Sequence, residues 1–153
     1  MQGVERVGYP AYVTPSGWLG YVDDKLVRLA LEALHQGFNH FKTKVDSNVE
    51  SDLCRGKVIC SVIGDPANLP KGRKPPSPSG IKGKNAGPTG SLLMIDVNQV
   101  WDVPQAIDYV KRLTKIKPWF IKGPTAPDEY VQPSYLSTAF VPFFLPTVHA
   151  PHY

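Results

Sequence analysis

Four polar residues have the types and spacing for chemistry on an acidic substrate. Lys42 and Lys44 alternate with apolar residues in one short stretch, and Asp96 and Asn98 follow a second, strongly apolar one. One lysine can lower the pKa of a neighbouring lysine and make it usable as a general base. A carboxylate at a strand end can hold a divalent cation. This set predicts proton abstraction beside a metal-bound carboxylate, and the alternative for the Lys-x-Lys pair is a solvated strand end.

Both stretches have the pattern of β-strands. Residues 38–45 alternate with a period of two, which puts one set on one face (Phe41, Thr43, Val45) and another on the opposite face (His40, Lys42, Lys44). Residues 92–97 form a continuous apolar run, typical of a parallel strand that is buried on both faces. Since parallel strands place their carboxyl ends at one edge, the polar residues should face a common cavity.

Helical stretches separate these strands. A first helix should begin after an N-cap at Asp23 or Asp24 and end at Gly37. A second should begin at a capping box formed by Ser47 and Glu50 and continue to Gly64. The third should be capped by Asp102 and bury four apolar residues (Ala106, Ile107, Val110, Leu113).

Two further short strands are predicted at 8–14 and 119–121, so strands and helices alternate along the chain. This order predicts an α/β fold, an incomplete (β/α)8 TIM barrel with about the first four strands and three helices. Such a partial barrel has two open sheet edges. An alternative function is therefore a non-catalytic interaction module, which pairs with itself, a partner or a full-length homologue through these edges.

We predict four segments from composition. Residues 1–7 should be a disordered N-terminus, and 8–129 should form the barrel domain. A stretch rich in Gly, Pro and Lys, 64–90, should be a disordered insertion in that domain, since neither helix nor strand suits it. Residues 130–153 contain no Asp, Glu, Lys or Arg and form an unpatterned apolar tail.

Charge and hydropathy exclude several partners. The net charge is +4, and residues 64–90 contribute all of it, with five basic residues and one acidic residue. Because the basic residues do not form a folded face, we expect no nucleic-acid binding. The apolar stretch 136–148 is too short to span a membrane, and residues 1–7 do not resemble a transit peptide. Cys54 and Cys60 cannot face each other on a helix, and we expect both to be buried hydrophobic residues.

Five segments, in this order, carry a resemblance to a known family. They are Gly-Tyr-Pro-Ala-Tyr at 8–12, Gly-Trp-Leu-Gly-Tyr at 17–21, Phe-Lys-Thr-Lys-Val at 41–45, Ile-Asp-Val-Asn-Gln-Val-Trp-Asp-Val-Pro at 95–104 and Pro-Thr-Ala-Pro-Asp at 124–128. The chain resembles the enolase superfamily of the mandelate racemase and muconate lactonizing type. Within it, the L-fuconate dehydratase subgroup and its animal mitochondrial members are most similar. The resemblance covers 8–129 except the insertion.

The resemblance implies a Mg²⁺-dependent acid-sugar dehydratase on a modified TIM barrel, located in mitochondria. It places Lys44 at the position of the catalytic base and Lys42 at that of its lysine partner. Asp96 matches the first carboxylate ligand of the metal, and Asn98 matches a neighbouring substrate-binding residue. The substrate would be an acid sugar such as L-fuconate.

One departure from the family's pattern concerns the metal. The family has Ile-Glu-Glu-Pro at the end of the next strand, and this chain has Ile-Lys-Gly-Pro at 121–124. Lys122 thus replaces a glutamate ligand. The resemblance places a third carboxylate ligand and a His/Asp pair beyond Glu129, where the tail does not match, and a capping domain before the barrel. We therefore expect this chain not to bind Mg²⁺ and to be catalytically inactive.

Overall fold

The computed structural model describes residues 17–46, 48–72 and 88–126. Its helices are α1 (Asp23–Gln36), α2 (Val49–Gly64) and α3 (Val103–Leu113), and its strands are β1 (His40–Lys44), β2 (Leu92–Asp96) and β3 (Phe120–Lys122). Short 3-10 helices, Pro66–Asn68 and Thr114–Ile116, follow α2 and α3. The predicted strand at 8–14, the N-terminal segment 1–7 and the tail 130–153 lie outside the described residues.

The described strands form one parallel sheet in the order β1, β2, β3. A helix connects β1 to β2 and another connects β2 to β3, which is the βαβ arrangement predicted from the sequence. Lys44 pairs with Asp96 in the β1–β2 register, and Asp96 pairs with Lys122 in the β2–β3 register. β3 begins and ends one residue later than predicted, so Lys122 belongs to the strand.

The sheet has one face in the main hydrophobic core. Its strand residues there are Phe41, Leu93, Ile95 and Ile121, packed in one cluster with helix residues such as Leu34, Ile59 and Val110. The alternate positions of β1 and β2 carry Lys42, Lys44, Met94 and Asp96. The period of two in β1 puts both lysines on one face, and the β1–β2 register adds Asp96 to that face. Each large core side chain contributes about 1.5–3 kcal/mol by its burial.

The ends of α1 differ in how well the sequence predicts them. Gly37 adopts a left-handed conformation with φ 103° and closes the helix as expected. The predicted N-cap is wrong, because Val22 occupies that position and makes no side-chain capping bond. Asp23 and Asp24 lie in the first turn instead, where negative charge interacts favourably with the helix dipole.

The predicted capping box of α2 is also wrong. Asn48 is the N-cap, and its Oδ1 accepts a hydrogen bond of 3.0 Å from the Ser51 N–H. Glu50 forms an ion pair with Arg112 of α3 rather than bonding back to the helix start. Asparagine is as favourable as serine at an N-cap, because its side-chain oxygen accepts the same backbone hydrogen bond. For α3 the prediction is confirmed, since Asp102 Oδ1 accepts from the Gln105 N–H at 2.8 Å.

The predicted insertion 64–90 is too wide at both ends. Gly64 is the last residue of α2, and the Asp65 side chain caps the following 3-10 helix. Asn68 Nδ2 donates to the Val62 carbonyl at 2.9 Å, and the buried Thr89 hydroxyl donates to the Ile63 carbonyl. These short polar side chains satisfy backbone groups near the end of α2. Residues 73–87 lie outside the described part of the chain.

The two cysteines do not share one environment. Both are free thiols, but Cys54 is exposed, so the expectation that it is buried is wrong. It lies next to Leu53 on α2 and falls outside the apolar stripe. Cys60 is partly buried with Sγ 3.7 Å from the Ile116 carbonyl oxygen, and burial raises its pKa to about 11. Among the helices that the structure describes, none has the length and apolar character of a membrane span.

Candidate active site

Asp96 is the central residue of the candidate site. It is the last residue of β2 and is only 1% exposed. Its cross-strand partners on the two neighbouring strands, Lys44 and Lys122, are both lysines. The carboxyl ends of three adjacent strands therefore place one cation on each side of a buried carboxylate.

Two lysines of β1 donate hydrogen bonds to this carboxylate. Lys42 Nζ lies 2.7 Å from Asp96 Oδ2, and Lys44 Nζ lies 3.0 Å from the same oxygen. Lys44 Nζ also donates to Asn98 Oδ1 at 2.6 Å. The structure thus brings together all four polar residues on which the sequence prediction rests. Their chemical roles stay predictions.

Lys122 is the third cation at Asp96. Its Nζ lies 3.6 Å from Asp96 Oδ2, and its side chain is 47% exposed. The resemblance to the family identified Lys122 only as a replacement for a metal ligand, and it did not predict this ion pair. The register of β3 against β2 is what brings the ammonium group to the carboxylate.

The electrostatics of Asp96 are dominated by these lysines. Burial is the largest single effect and acts to raise its pKa, whereas the hydrogen bonds from Lys42 and Lys44 act to lower it. Together with the charges of Lys42 and Lys122, they lower the pKa of Asp96 to about 2. One carboxylate and three ammonium groups leave this cluster with an excess positive charge, which we call the lysine cluster (Lys42, Lys44, Lys122 with Asp96).

A strained turn follows Asp96. Asn98 and Gln99 have positive φ angles of 57° and 64°, in the left-handed region that asparagine tolerates better than most residues. Asp96 Oδ1 accepts from the Asn98 N–H at 3.3 Å, and the Gln99 N–H donates to the Gly123 carbonyl at 2.7 Å. This turn fixes the Asn98 side chain beside Lys44. No pattern in the sequence predicted two consecutive left-handed residues.

The loop before α1 supports the site from the side of β1. Thr43 Oγ1 donates to the Gly17 carbonyl at 3.2 Å. A Cβ atom at Gly17 would lie 2.5 Å from Thr43 Cα and 2.7 Å from the Lys42 carbonyl oxygen. Only glycine allows this approach, so the contact fixes the backbone that carries Lys42 and Lys44.

A second set of contacts orders the loop between β1 and α2. The Trp101 indole N–H donates to the Asp46 carbonyl, and the Asp46 N–H donates to Asp52 Oδ2 at 3.1 Å. Asp52 is also paired with Arg55. Burial raises the pKa of Asp52 despite the Asp46 N–H and the Arg55 charge. These residues link the loops after β1 and β2, and sequence analysis missed all of them.

The residues around Asp96 do not fit a divalent cation. Mg²⁺ binds oxygen ligands and prefers carboxylates, whereas the atoms that contact Asp96 Oδ2 are three ammonium nitrogens. Within 17–46, 48–72 and 88–126, no three acidic, histidine or cysteine side chains are placed to hold a metal ion. A cation approaching Asp96 would meet like charge instead of further ligands.

Sequence comparison identifies relatives of this chain, although no protein-family model matches it. L-galactonate dehydratase from Hypocrea jecorina is 37% identical over 142 residues, which are 93% of this chain and 27% of that protein. Human mitochondrial enolase superfamily member 1 is 36% identical over 135 residues, 88% of this chain and 25% of that protein. The chain corresponds to part of an enolase superfamily protein.

Structural comparison agrees with this identification. The crystal structure of human mitochondrial enolase superfamily member 1 superimposes with a TM-score of 0.72 at 35% identity, covering 92% of this chain and 26% of that one. L-talarate/galactarate dehydratase from Salmonella typhimurium LT2 shares the fold, with a TM-score of 0.64 at 21% identity over 85% of this chain and 27% of that one. The predicted family and the predicted partial TIM barrel are confirmed.

This enolase superfamily chain spans about a quarter of the length of the curated relatives it matches. The match with L-galactonate dehydratase is longer than the region 8–129 over which the five segments were recognised. Solved structures that share the fold include one complexed with Mg and L-lyxarohydroxamate and one complexed with Mg and L-glucarate.

Proposed function

We propose that this chain is a non-catalytic relative of the Mg²⁺-dependent acid-sugar dehydratases, with an ionic lysine cluster where those enzymes use a metal. The observation that carries the proposal is the triple contact at Asp96 Oδ2, with nitrogen distances of 2.7, 3.0 and 3.6 Å. Three cations already surround the oxygen that a metal would need. Ionic partners of this kind are costly to remove from a buried carboxylate.

Comparison with relatives supports the substrate side of the proposal. L-talarate dehydratase from Polaromonas sp. JS666 is complexed with Mg and L-glucarate, and the Salmonella enzyme with Mg and L-lyxarohydroxamate. The ancestral activity we assign is dehydration of an acid sugar, with L-fuconate as the specific candidate. Lys44 would have been the base and Asn98 a substrate contact.

In this chain Lys44 acts as a hydrogen-bond donor. Its Nζ donates to Asp96 at 3.0 Å and to Asn98 at 2.6 Å. A general base must instead present a lone pair within hydrogen-bond reach of the proton it removes. The arrangement therefore supports a role for Lys44 in the ionic cluster.

Two measurements test the proposal. Calorimetric titration with Mg²⁺ should give no binding heat, and incubation with L-fuconate or L-galactonate plus Mg²⁺ should give no dehydrated product. L-galactonate dehydratase from Hypocrea jecorina serves as the positive control for the assay. Micromolar Mg²⁺ binding, or turnover that Lys44→Met abolishes, would show that the chain is an enzyme.

A second candidate function is pairing with another protein through the sheet. Of the strands that the structure describes, β1 and β3 each pair only with β2. An unpaired strand edge is a template for another chain, so a second copy or a full-length homologue could add to this sheet. Size-exclusion chromatography with light scattering tests this candidate. A monodisperse monomer, unchanged by a full-length homologue, would contradict it.

We also propose a mitochondrial location, because several relatives are named as mitochondrial proteins. Import of the complete protein into isolated mitochondria is the direct measurement. Recovery only outside the organelle would contradict the proposal.

A further inference from the structure

The lysine cluster has more positive charge than its one carboxylate can balance. Asp96 is 1% exposed and supplies one negative charge to three ammonium groups. Excess charge of one sign in a partly desolvated site raises the local concentration of the opposite ion. The surplus is directed to the carboxyl edge of the sheet, where α/β folds bind ligands.

We propose that the lysine cluster is a metal-independent binding site for a small organic carboxylate, with Lys122 supplying a positive charge in place of a divalent cation. The inference rests on the proposed function in one respect, namely that Asp96 binds no metal. It goes further in assigning a ligand that needs no metal to bind.

Lys122 is the residue best placed to contact such a ligand. Its Nζ is 3.6 Å from Asp96 Oδ2, which is an ion-pair distance but too long for a good hydrogen bond. Its side chain is 47% exposed, so its N–H donors can reach a ligand from solvent. A carboxylate that accepts these donors forms charge-assisted hydrogen bonds, about twice as strong as neutral ones.

Lys44 and Asn98 provide the second side of the site. Lys44 Nζ has two oxygen contacts and a third N–H donor, and its side chain is 18% exposed. Asn98 is exposed, and its Oδ1 accepts from Lys44, which leaves its amide NH₂ as the donor group toward solvent. A carboxylate with a neighbouring hydroxyl group matches ammonium donors beside an amide donor.

Lys42 has a different role in this arrangement. It is 7% exposed and lies 2.7 Å from Asp96 Oδ2, so it balances the buried carboxylate. With that charge balanced, Lys44 and Lys122 remain as the two cations nearest solvent. This division leaves two positive charges on the solvent side of the cluster, and these attract a carboxylate.

The experiment is a calorimetric titration of the protein with D-gluconate, in buffer that contains EDTA and has low ionic strength. Lys122→Gln removes the outer cation, and Lys115→Gln is the matched control because Lys115 is an exposed lysine on the 3-10 helix before β3. Wild type and Lys115→Gln should bind equally, and Lys122→Gln should bind about tenfold more weakly. Raising the salt concentration should weaken binding in all three.

Each other outcome overturns the inference. No gluconate binding in EDTA, binding that requires Mg²⁺, or equal affinity of wild type and Lys122→Gln would each exclude a metal-independent site built on Lys122. Sulfate that competes as well as gluconate would exclude the preference for a carboxylate. If neither Mg²⁺ nor gluconate binds, only this inference fails, whereas Mg²⁺ binding to wild type also overturns the proposed function. Circular dichroism of each variant confirms that it is folded.

Discussion

Lys122 lies in register with Asp96 on the adjacent strand, with its Nζ 3.6 Å from Asp96 Oδ2. The resemblance to the family implies a glutamate at the position of Lys122, and on that basis one substitution exchanges an anion for a cation. The ammonium group balances the carboxylate that a divalent ion would otherwise balance. This ion pair is the reason why we expect no metal-dependent activity from a chain that is related to metal-dependent enzymes.

Reversing that charge should change which ions the site accepts. Lys122→Glu removes one cation and places a second carboxylate beside Asp96, so we expect Mn²⁺ or Mg²⁺ binding that we do not expect of wild type. Affinity should be weak, because Lys42 and Lys44 still contact Asp96. Lys122→Gln removes the cation without adding a ligand and should not bind metal. Electron paramagnetic resonance measures how much added Mn²⁺ is bound by wild type and by each of the two variants. Identical spectra for the three proteins would contradict the prediction.

The Asp96 ion pairs should make stability depend on acid pH. Its pKa falls from 3.8 to about 2 on folding, so the ionised form stabilises the fold above pH 4. That contribution, about 2 kcal/mol, is lost as pH falls from about 4 to 2. The Asp96→Asn variant has no ionisable group at this position and so has no such contribution to lose. The difference in free energy of unfolding between wild type and variant should therefore narrow as the pH falls from about 4 to 2. Urea unfolding at pH 5, 3 and 2 measures it, and a constant difference would contradict this assignment.

The local pattern of the sequence was sufficient to bring the site residues to one face. Alternation in 38–45 placed Lys42 and Lys44 together, and the apolar run before Asp96 identified the central strand. Gly37 and Asp102 marked helix ends correctly because each has one strongly preferred geometry there.

Contacts between distant segments could not be predicted in the same way. The ion pair between Lys122 and Asp96 depends on strand register, and ending β3 at residue 121 would have left Lys122 in a loop. The hydrogen bond from Trp101 to Asp46 joins two loops that are 55 residues apart. Local propensity contains no information about such pairs, because tertiary packing determines them.

The left-handed turn at Asn98 should tolerate glycine better than a β-branched residue. At φ 57°, valine is sterically strained, while glycine is not. Asn98→Val should therefore be less stable than Asn98→Gly by about 1–2 kcal/mol. Both variants lose the bond to Lys44, so their difference isolates the backbone conformation. Chemical denaturation measures it, and equal stability would argue against the turn geometry.

The approach of Gly17 to β1 should make this glycine difficult to replace. A Cβ atom would be 2.5 Å from the Thr43 Cα and 2.7 Å from the Lys42 carbonyl oxygen, and neither backbone atom can move aside without shifting the strand. Gly17→Ala should destabilise the protein by about 1–3 kcal/mol. Gly64→Ala is the matched control, since nothing lies within 4 Å of its added Cβ and alanine favours the helix. Thermal unfolding compares the two variants. Because strand displacement would also move Lys42 and Lys44, Gly17→Ala should weaken gluconate binding while Gly64→Ala leaves it unchanged.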